Sequence, residues 1–464
     1  MVDPLKKSFL DVPRLRKLSR RTAPTQREVL CILEKARELK GLSVEETAAL
    51  LCVDSPEMIR ALLDVAGYAK ETIYGRRMVL FAPLYIGNTC SNSCLYCAFR
   101  KENTRLRRAV LTADQIRTEA EMLLREGHKR IVMLCGESSD NDLDHFLSAI
   151  RTVYETRVGK NSIRRINVEI APLDVEGFRR LKEAKIGTYI CFQETYDPDL
   201  YAAYHPSGPK ADYLNRLMVM DRAMEGGIDD VGLGVLFGLG DYRFEVLALM
   251  EHALHLEETF GCGPHTVSVP RIEPAEGTPF TEHIPYAVSD DDFRKIIAVI
   301  RLAMPYTGII LSTRESEGLR NELFRYGVSQ ISAGSRTNPG AYADAASECS
   351  GSQFSLGDHR SLDEVIETLI DQEFIPSFCT GCYRKGRVGR DFMDLAKPGL
   401  IQRFCMPNGL FTFQEYLEDF ASPTVRTKGK KLIGRLVEAA HEEQRPKIVD
   451  NLRLIESGAR DVYF

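Results

Sequence analysis

Residues 90–97 read Cys90-Ser91-Asn92-Ser93-Cys94-Leu95-Tyr96-Cys97, and three residues separate them from the apolar run Met78–Ile86. Three thiols at x3 and x2 spacing in one loop can hold three irons of a cubane cluster. The fourth iron then has no protein ligand and is open to a small molecule. A structural zinc site closes with four ligands, usually as two pairs. An open-iron cluster is therefore the expectation for Cys90, Cys94 and Cys97, with zinc or plain packing as the alternatives.

Outward from this loop, Met78–Ile86 is the first of eight short β-rich runs. The others are Arg130–Leu134, Ile166–Ile170, Thr188–Phe192, Asp230–Leu236, Thr266–Pro270, Gly308–Leu311 and Ser329–Ser332. The segments between them are long enough for crossover helices, so the sheet is parallel. Eight such units predict a closed (β/α)8 barrel of the TIM type, whose usual size is about 250 residues. An open doubly wound sheet is the second choice. Before the barrel, residues 24–74 read as helical. Thr25 caps a helix expected to run to Lys40, Ser43-Val44-Glu45-Glu46 forms a capping box, and Ser55-Pro56-Glu57 opens a helix ending at Gly75. After about residue 360 the strands are expected to stop. Thr412–Phe420 and Lys428–His441 read as helices. The expected domains are a helical extension over 1–77, a barrel over 78–360 and a small, mostly helical iron–sulfur domain over 361–464.

The 464 residues carry a net charge of -5, which gives no electrostatic case for nucleic acid. No apolar run reaches the roughly 20 residues of a membrane span, and the N-terminus lacks a secretory pattern. The basic stretch Arg14 to Arg21, with Asp3 and Asp11 flanking it, reads as a solvated helix end. Lys428, Lys430 and Lys431 likewise read as a solvated face. Of twelve cysteines, six fall in two tight clusters and suit a reducing, cytoplasmic setting. The other six, Cys31, Cys52, Cys135, Cys191, Cys262 and Cys349, read as small core hydrophobes.

In a (β/α)8 barrel the chemistry sits beyond the C-terminal ends of the strands. Past the second run stands Cys135-Gly136-Glu137. Asn167 and Glu169 are polar inside the third run, which needs a reason because unpaired buried polar groups are costly. The fourth run ends at Gln193-Glu194-Thr195-Tyr196, and Asp221-Arg222 follows on a helix. Arg314, just past the seventh run, can grip the carboxylate of an amino-acid substrate with two parallel hydrogen bonds, and Ser332 or Ser335 can assist. A second trio of thiols, Cys379-x2-Cys382-x22-Cys405, reads as another open-iron cluster, with a zinc knuckle as the alternative. His265, read by itself, is an ordinary hydrogen-bonded histidine.

The Cys-x3-Cys-x2-Cys spacing resembles the signature of the radical S-adenosylmethionine (SAM) superfamily, with Tyr96 at the usual aromatic position. Over nearly the whole chain the sequence resembles, more narrowly, the HydG family of (FeFe)-hydrogenase maturases, which are radical SAM tyrosine lyases. The resemblance rests on Ala82-Pro83-Leu84-Tyr85, Phe192-Gln193-Glu194-Thr195-Tyr196, Met220-Asp221-Arg222-Ala223-Met224, Gly263-Pro264-His265-Thr266, Ser312-Thr313-Arg314-Glu315 and the C-terminal cysteines. Those cysteines separate it from the related 2-iminoacetate synthase of thiamine synthesis, the alternative function.

The resemblance implies a SAM-binding 4Fe-4S cluster on Cys90, Cys94 and Cys97. It also implies SAM contacts from Tyr96, Gly136, Glu137, Asn167, Glu169, Glu194 and Arg222. It implies an auxiliary 4Fe-4S cluster on Cys379, Cys382 and Cys405 with an extra iron on His265 and a free cysteine as bridging ligand. The implied reaction splits L-tyrosine to p-cresol and dehydroglycine, then converts the latter to CO and cyanide in an iron synthon for the hydrogenase. An electron donor such as a ferredoxin or flavodoxin and other maturation proteins are the implied partners. Because Cys90 follows the first strand and His265 precedes the sixth, the two sites should lie at opposite mouths. Strands of 5–7 residues would separate them by about 17–23 Å, with Asn167, Glu169 and Gln193 lining a path between.

Overall fold

The computed structural model describes residues 8–344, 351–397 and 401–464. Asp3 and Cys349 lie outside the described residues. All eight expected strands form: β1 (Arg77–Gly87), β2 (Arg130–Cys135), β3 (Arg165–Glu169), β4 (Tyr189–Glu194), β5 (Val231–Val235), β6 (Thr266–Ser268), β7 (Gly308–Leu311) and β8 (Gln330–Ser332). Every pairing is parallel, and β1 bonds to both β8 and β2, which closes the barrel. Parallel strands covered by helices are buried on both faces, and those of β5 and β7 are buried throughout.

A ninth strand, β9 (Ile375–Ser377), corrects the expectation that strands stop near residue 360. It pairs with the start of β1, Arg77 opposite Ile375. Val79 pairs with Gln330 of β8 and with Ser377 of β9, while Ala82–Gly87 pair with β2. So β9 sits on the β2 edge of β1, below β2. The C-terminal segment is thereby hydrogen-bonded into the barrel sheet, and Cys379 emerges two residues later at the N-terminal mouth.

The N-terminal helices are Val12–Ser19, Gln26–Ala36, Val44–Leu51 and Pro56–Tyr74. Thr25 caps the second, which stops at Ala36, short of the expected Lys40. Ser43 and Glu46 make the expected capping box, and Gly75 ends the fourth helix. The stretch read as a solvated helix end is anchored instead. Arg14 pairs with Glu45 and Glu251, each at 2.6 Å, and Arg16 with Asp197 at 2.8 Å. This lays the first helix along the barrel helix Tyr242–Phe260. At the C-terminus, helices Gln402–Asp419, Pro423–Glu438 and Arg445–Glu456 pack together. Lys428 and Lys430 there pair with Glu367 and Glu418. No helix among the described residues is long and apolar enough to cross a membrane.

Candidate active site and second metal centre

The loop after β1 places Cys90, Cys94 and Cys97 on one cavity at the C-terminal mouth, with Tyr96, Gly136, Glu137, Glu169, Glu194 and Arg314 on its walls. The Gly136 backbone lies so close to this loop that a Cβ would come within 2.3 Å of Thr89 O. That approach lets Glu137 O accept from Ser91 N at 2.7 Å, while its carboxylate accepts from Asn92 Nδ2 at 2.7 Å. Tyr96 Oη meets His205 Nε2 at 2.7 Å. Side-chain amides point at two of the sulfurs, Asn92 Nδ2 to Cys90 Sγ and Gln353 Nε2 to Cys97 Sγ, both at 3.6 Å. Three converging thiols with N–H donors aimed at their sulfurs fit an iron–sulfur cluster, whose potential such donors tune.

Glu194 has φ 71°, and the register with β5 slips there, Phe192 pairing with Gly234 and Glu194 with Val235. This bulge sets both Phe192 and Glu194 on the cavities. Gln193, the skipped residue, lines none of the three cavities described here, so it does not line the expected path. Burial pushes the Glu194 carboxyl up, but Lys210, at 2.5 Å, and Arg216 hold it below its ordinary value. Burial, with the charge of Glu194, pushes the Glu169 carboxyl up to about 7.

Arg222 is elsewhere. Its guanidinium donates to Leu173 O at 2.9 Å, Met218 O at 3.2 Å and Asn215 O at 2.7 Å, and it lines no cavity at the mouth. Arg216, not Arg222, joins Arg314 on the upper cavity, and its Nε donates to Phe192 O at 2.5 Å. Sequence reading also missed Lys210, which pairs with Glu194, and Gln353, which lies far along the chain from the Cys97 it contacts. Cys135 lines this cavity and Cys31 is exposed, so neither is the core residue expected; Cys52, Cys191 and Cys262 are buried.

Beneath the mouth, a second cavity inside the barrel shares Glu169, Phe192, Arg314 and Phe354 with the first. Phe81, Tyr85, Ser332 and Ser335 line it as well. The Arg314 guanidinium stacks on Phe354 with its carbon 3.3 Å from the ring centroid, and no carboxylate among the described residues pairs with it. Ser335 Oγ is buried without a partner, whereas Ser332 Oγ accepts from Thr313 N at 3.1 Å. Aromatic walls, one unpaired arginine and a free hydroxyl suit an aromatic amino acid.

The opposite mouth holds the other trio. Cys379, Cys382 and Cys405 share a cavity with His265, Asp230 and the strand-start arginines Arg77, Arg130 and Arg165. Gly381 N donates to Cys379 Sγ at 3.3 Å. The neighbouring Cys382 thiol, with Arg77 and Arg387 nearby, holds the Cys405 thiol below its ordinary value, and the same pairing pushes Cys382 up. His265 Nδ1 lies 3.6 Å from Asp230 Oδ1, and burial lowers the His265 pKa, leaving the neutral imidazole that metals bind. Arg77 Nε, Arg130 Nε, Arg387 Nε and Asn408 Nδ2 are buried without a partner. Each unmet donor costs about 1–3 kcal/mol, so this cavity suits anionic, acceptor-rich contents, and a thiolate-held cluster fits it. Asn167 is absent from all three cavities. Its Oδ1 accepts from Arg165 Nε at 3.0 Å and Thr188 N at 3.1 Å, in the layer between the interior and lower cavities.

A parallel barrel with an open three-thiol loop at its C-terminal mouth defines a radical SAM enzyme. Residues 84–253 match the Radical SAM superfamily, and residues 268–375 match the Biotin and Thiamin Synthesis associated domain. A crystal structure of HydG, a maturase of the (FeFe)-hydrogenase, is 46% identical, with 98% of this chain and 100% of that chain covered at a TM-score of 0.95. HydG from Carboxydothermus hydrogenoformans is 43% identical over 95% and 97% of the two chains, with a TM-score of 0.83. The 2-iminoacetate synthase of Salmonella typhimurium is 30% identical over 74% of this chain and 89% of its own. The chain belongs to the HydG family.

Proposed function

We propose that this enzyme cleaves L-tyrosine at the upper site to p-cresol and dehydroglycine. The lower site converts dehydroglycine to CO and cyanide and releases them as an iron synthon for (FeFe)-hydrogenase assembly. The observation that carries this reading is the pair of three-thiol sites at opposite mouths of one barrel, the lower one with His265. When bound, the upper cluster and SAM supply the 5′-deoxyadenosyl radical that takes a hydrogen atom from tyrosine.

The chain's own residues position the reactants. Arg314 grips the substrate carboxylate, Ser335 is free to hydrogen-bond it, and Phe81, Phe192 and Phe354 hold the ring away from water. Glu137, Glu194, Lys210 and Arg216 provide the polar wall for SAM. At the lower site Cys379, Cys382 and Cys405 would hold the auxiliary cluster, and His265, backed by Asp230, would hold the extra iron destined for the product. The unpaired guanidinium N–H groups would hold the anionic fragments, and a free cysteine would be the bridging ligand.

A tyrosine lyase of the 2-iminoacetate synthase kind needs the upper site alone, and the lower site weighs against that reading. An anaerobic assay with SAM, dithionite and tyrosine separates the two. Formation of p-cresol, CO and cyanide together is expected; p-cresol without CO would place the chain with the thiamine-pathway enzymes.

A further inference from the structure

The segment that leaves the upper cysteine loop is unusually basic for this chain. Residues 100–108 contain five cations, Arg100, Lys101, Arg105, Arg107 and Arg108, against the single carboxylate of Glu102, whereas the whole chain carries -5. Arg100 and Lys101 pair with Glu102. Arg105 and Arg107 are exposed, and neither has an ion-pair partner among the described residues. Arg108 lies beneath them. Its guanidinium donates to Asn88 O and Phe99 O at 2.7 and 2.8 Å and to Arg100 O at 2.5 Å, which clamps the cysteine loop from outside. Two backbone hydrogen bonds complete the link: Arg100 N donates to Cys97 O at 3.1 Å, and Lys101 N to Asn92 O at 2.9 Å.

This basic segment is thus hydrogen-bonded directly to the cysteine loop at Cys97 and Asn92. Substrate and SAM enter by the cavity, but an electron for the cluster has to arrive through the protein wall. Short-lived redox encounters use small, charge-steered interfaces. We propose that the exposed cations Lys101, Arg105 and Arg107 of this segment together form the docking surface for an acidic protein that carries one electron. This inference rests on the radical SAM reading of the upper site. In the encounter the carrier is oxidised by one electron and the cluster is reduced by one; no atom is transferred.

The test uses oxidised flavodoxin as the carrier and measures its binding to the cluster-loaded enzyme by calorimetry at low and high salt. The variant R105E/R107E is expected to bind at least about 10-fold more weakly and to lose most of the salt dependence, because exposed charges set steering and its screening. Its dithionite-driven formation of 5′-deoxyadenosine should match the parent. The neutral variant R105Q/R107Q should fall between, and K431E/K447E, on exposed cations of the C-terminal helices, should bind as the parent does. Unchanged flavodoxin affinity in R105E/R107E overturns the proposal, as does a parent enzyme that binds no flavodoxin at low salt. A parent enzyme that forms no 5′-deoxyadenosine with dithionite would instead defeat the underlying radical SAM reading.

Discussion

Arg216 and Arg222 lie six residues apart in one helical region, yet their surroundings assign them different work. Arg222 spends its guanidinium on backbone carbonyls that hold residues 215–218 to Leu173. Arg216 faces the upper cavity beside Glu194. Arg216→Gln is therefore expected to weaken SAM binding at least about 10-fold, as loss of a charge-assisted contact does. Arg222→Gln should leave SAM affinity near parental and cost about 1–2 kcal/mol of stability. Equilibrium SAM binding and calorimetry check both, and a SAM defect confined to Arg222→Gln would restore that residue to the site. The sequence could not separate the two arginines, because their carbonyl partners are set by how the helix meets the loop at Leu173. The cysteines were legible because ligand spacing is local. Lys210 and Gln353 were not: Lys210 reaches Glu194 only through the fold of the turn after β4, and Gln353 reaches Cys97 only once the barrel closes.

At the scale of elements, the eight barrel strands were readable because each is an apolar run between turn signals. β9 escaped because it has three residues and a central proline. Pro376 lacks a backbone N–H, which a strand tolerates only at an edge; here it pairs opposite Met78. The turn after β4 is held by a buried carboxyl. Glu245, on the helix Tyr242–Phe260, accepts from Thr195 Oγ1 and from Tyr196 N at 2.8 Å, and burial raises its pKa to about 8. Between about pH 4.5 and 8 the folded protein therefore holds a proton that the unfolded chain releases. Stability from this group is full at the acid end and falls as pH rises, by up to about 1.4 kcal/mol per pH unit. Glu245→Gln should flatten that fall, read as calorimetric midpoints at about pH 6 and pH 8.5. An equally steep fall in the variant would remove Glu245 as its source. On β5, a Cβ at Gly232 would lie 2.7 Å from Thr266 Oγ1 and 3.0 Å from Ile190 Cγ1. Gly232 and Thr266 belong to the layer, shared with Asn167 and Thr188, that divides the interior cavity from the lower one. Gly232→Ala should keep p-cresol formation and lower the CO-to-p-cresol ratio several-fold, measured in one anaerobic reaction. An unchanged ratio would mean that dehydroglycine does not cross the barrel there.

For the whole molecule, strand polarity alone puts the start of β1, β2, β3 and β6 at one mouth and the ends of β1, β2 and β4 at the other. The order of the motifs along the chain therefore fixed the mouths of Cys90 and His265, and β9 is the device that brings Cys379 to the side of His265. Two sites built from separate side chains should fail separately. On the proposed reading, His265→Ala should retain the electron paramagnetic resonance signals of both clusters, since three thiols would still be there to hold the lower one, and lose synthon production. The most direct measurement is the product yield of Cys382→Ser with tyrosine, SAM and dithionite, reading p-cresol and CO from the same anaerobic vial. Near-parental p-cresol with CO suppressed at least about 10-fold is the predicted result. Parental CO from Cys382→Ser, or loss of p-cresol in step with CO, would contradict the division of the reaction between the two mouths.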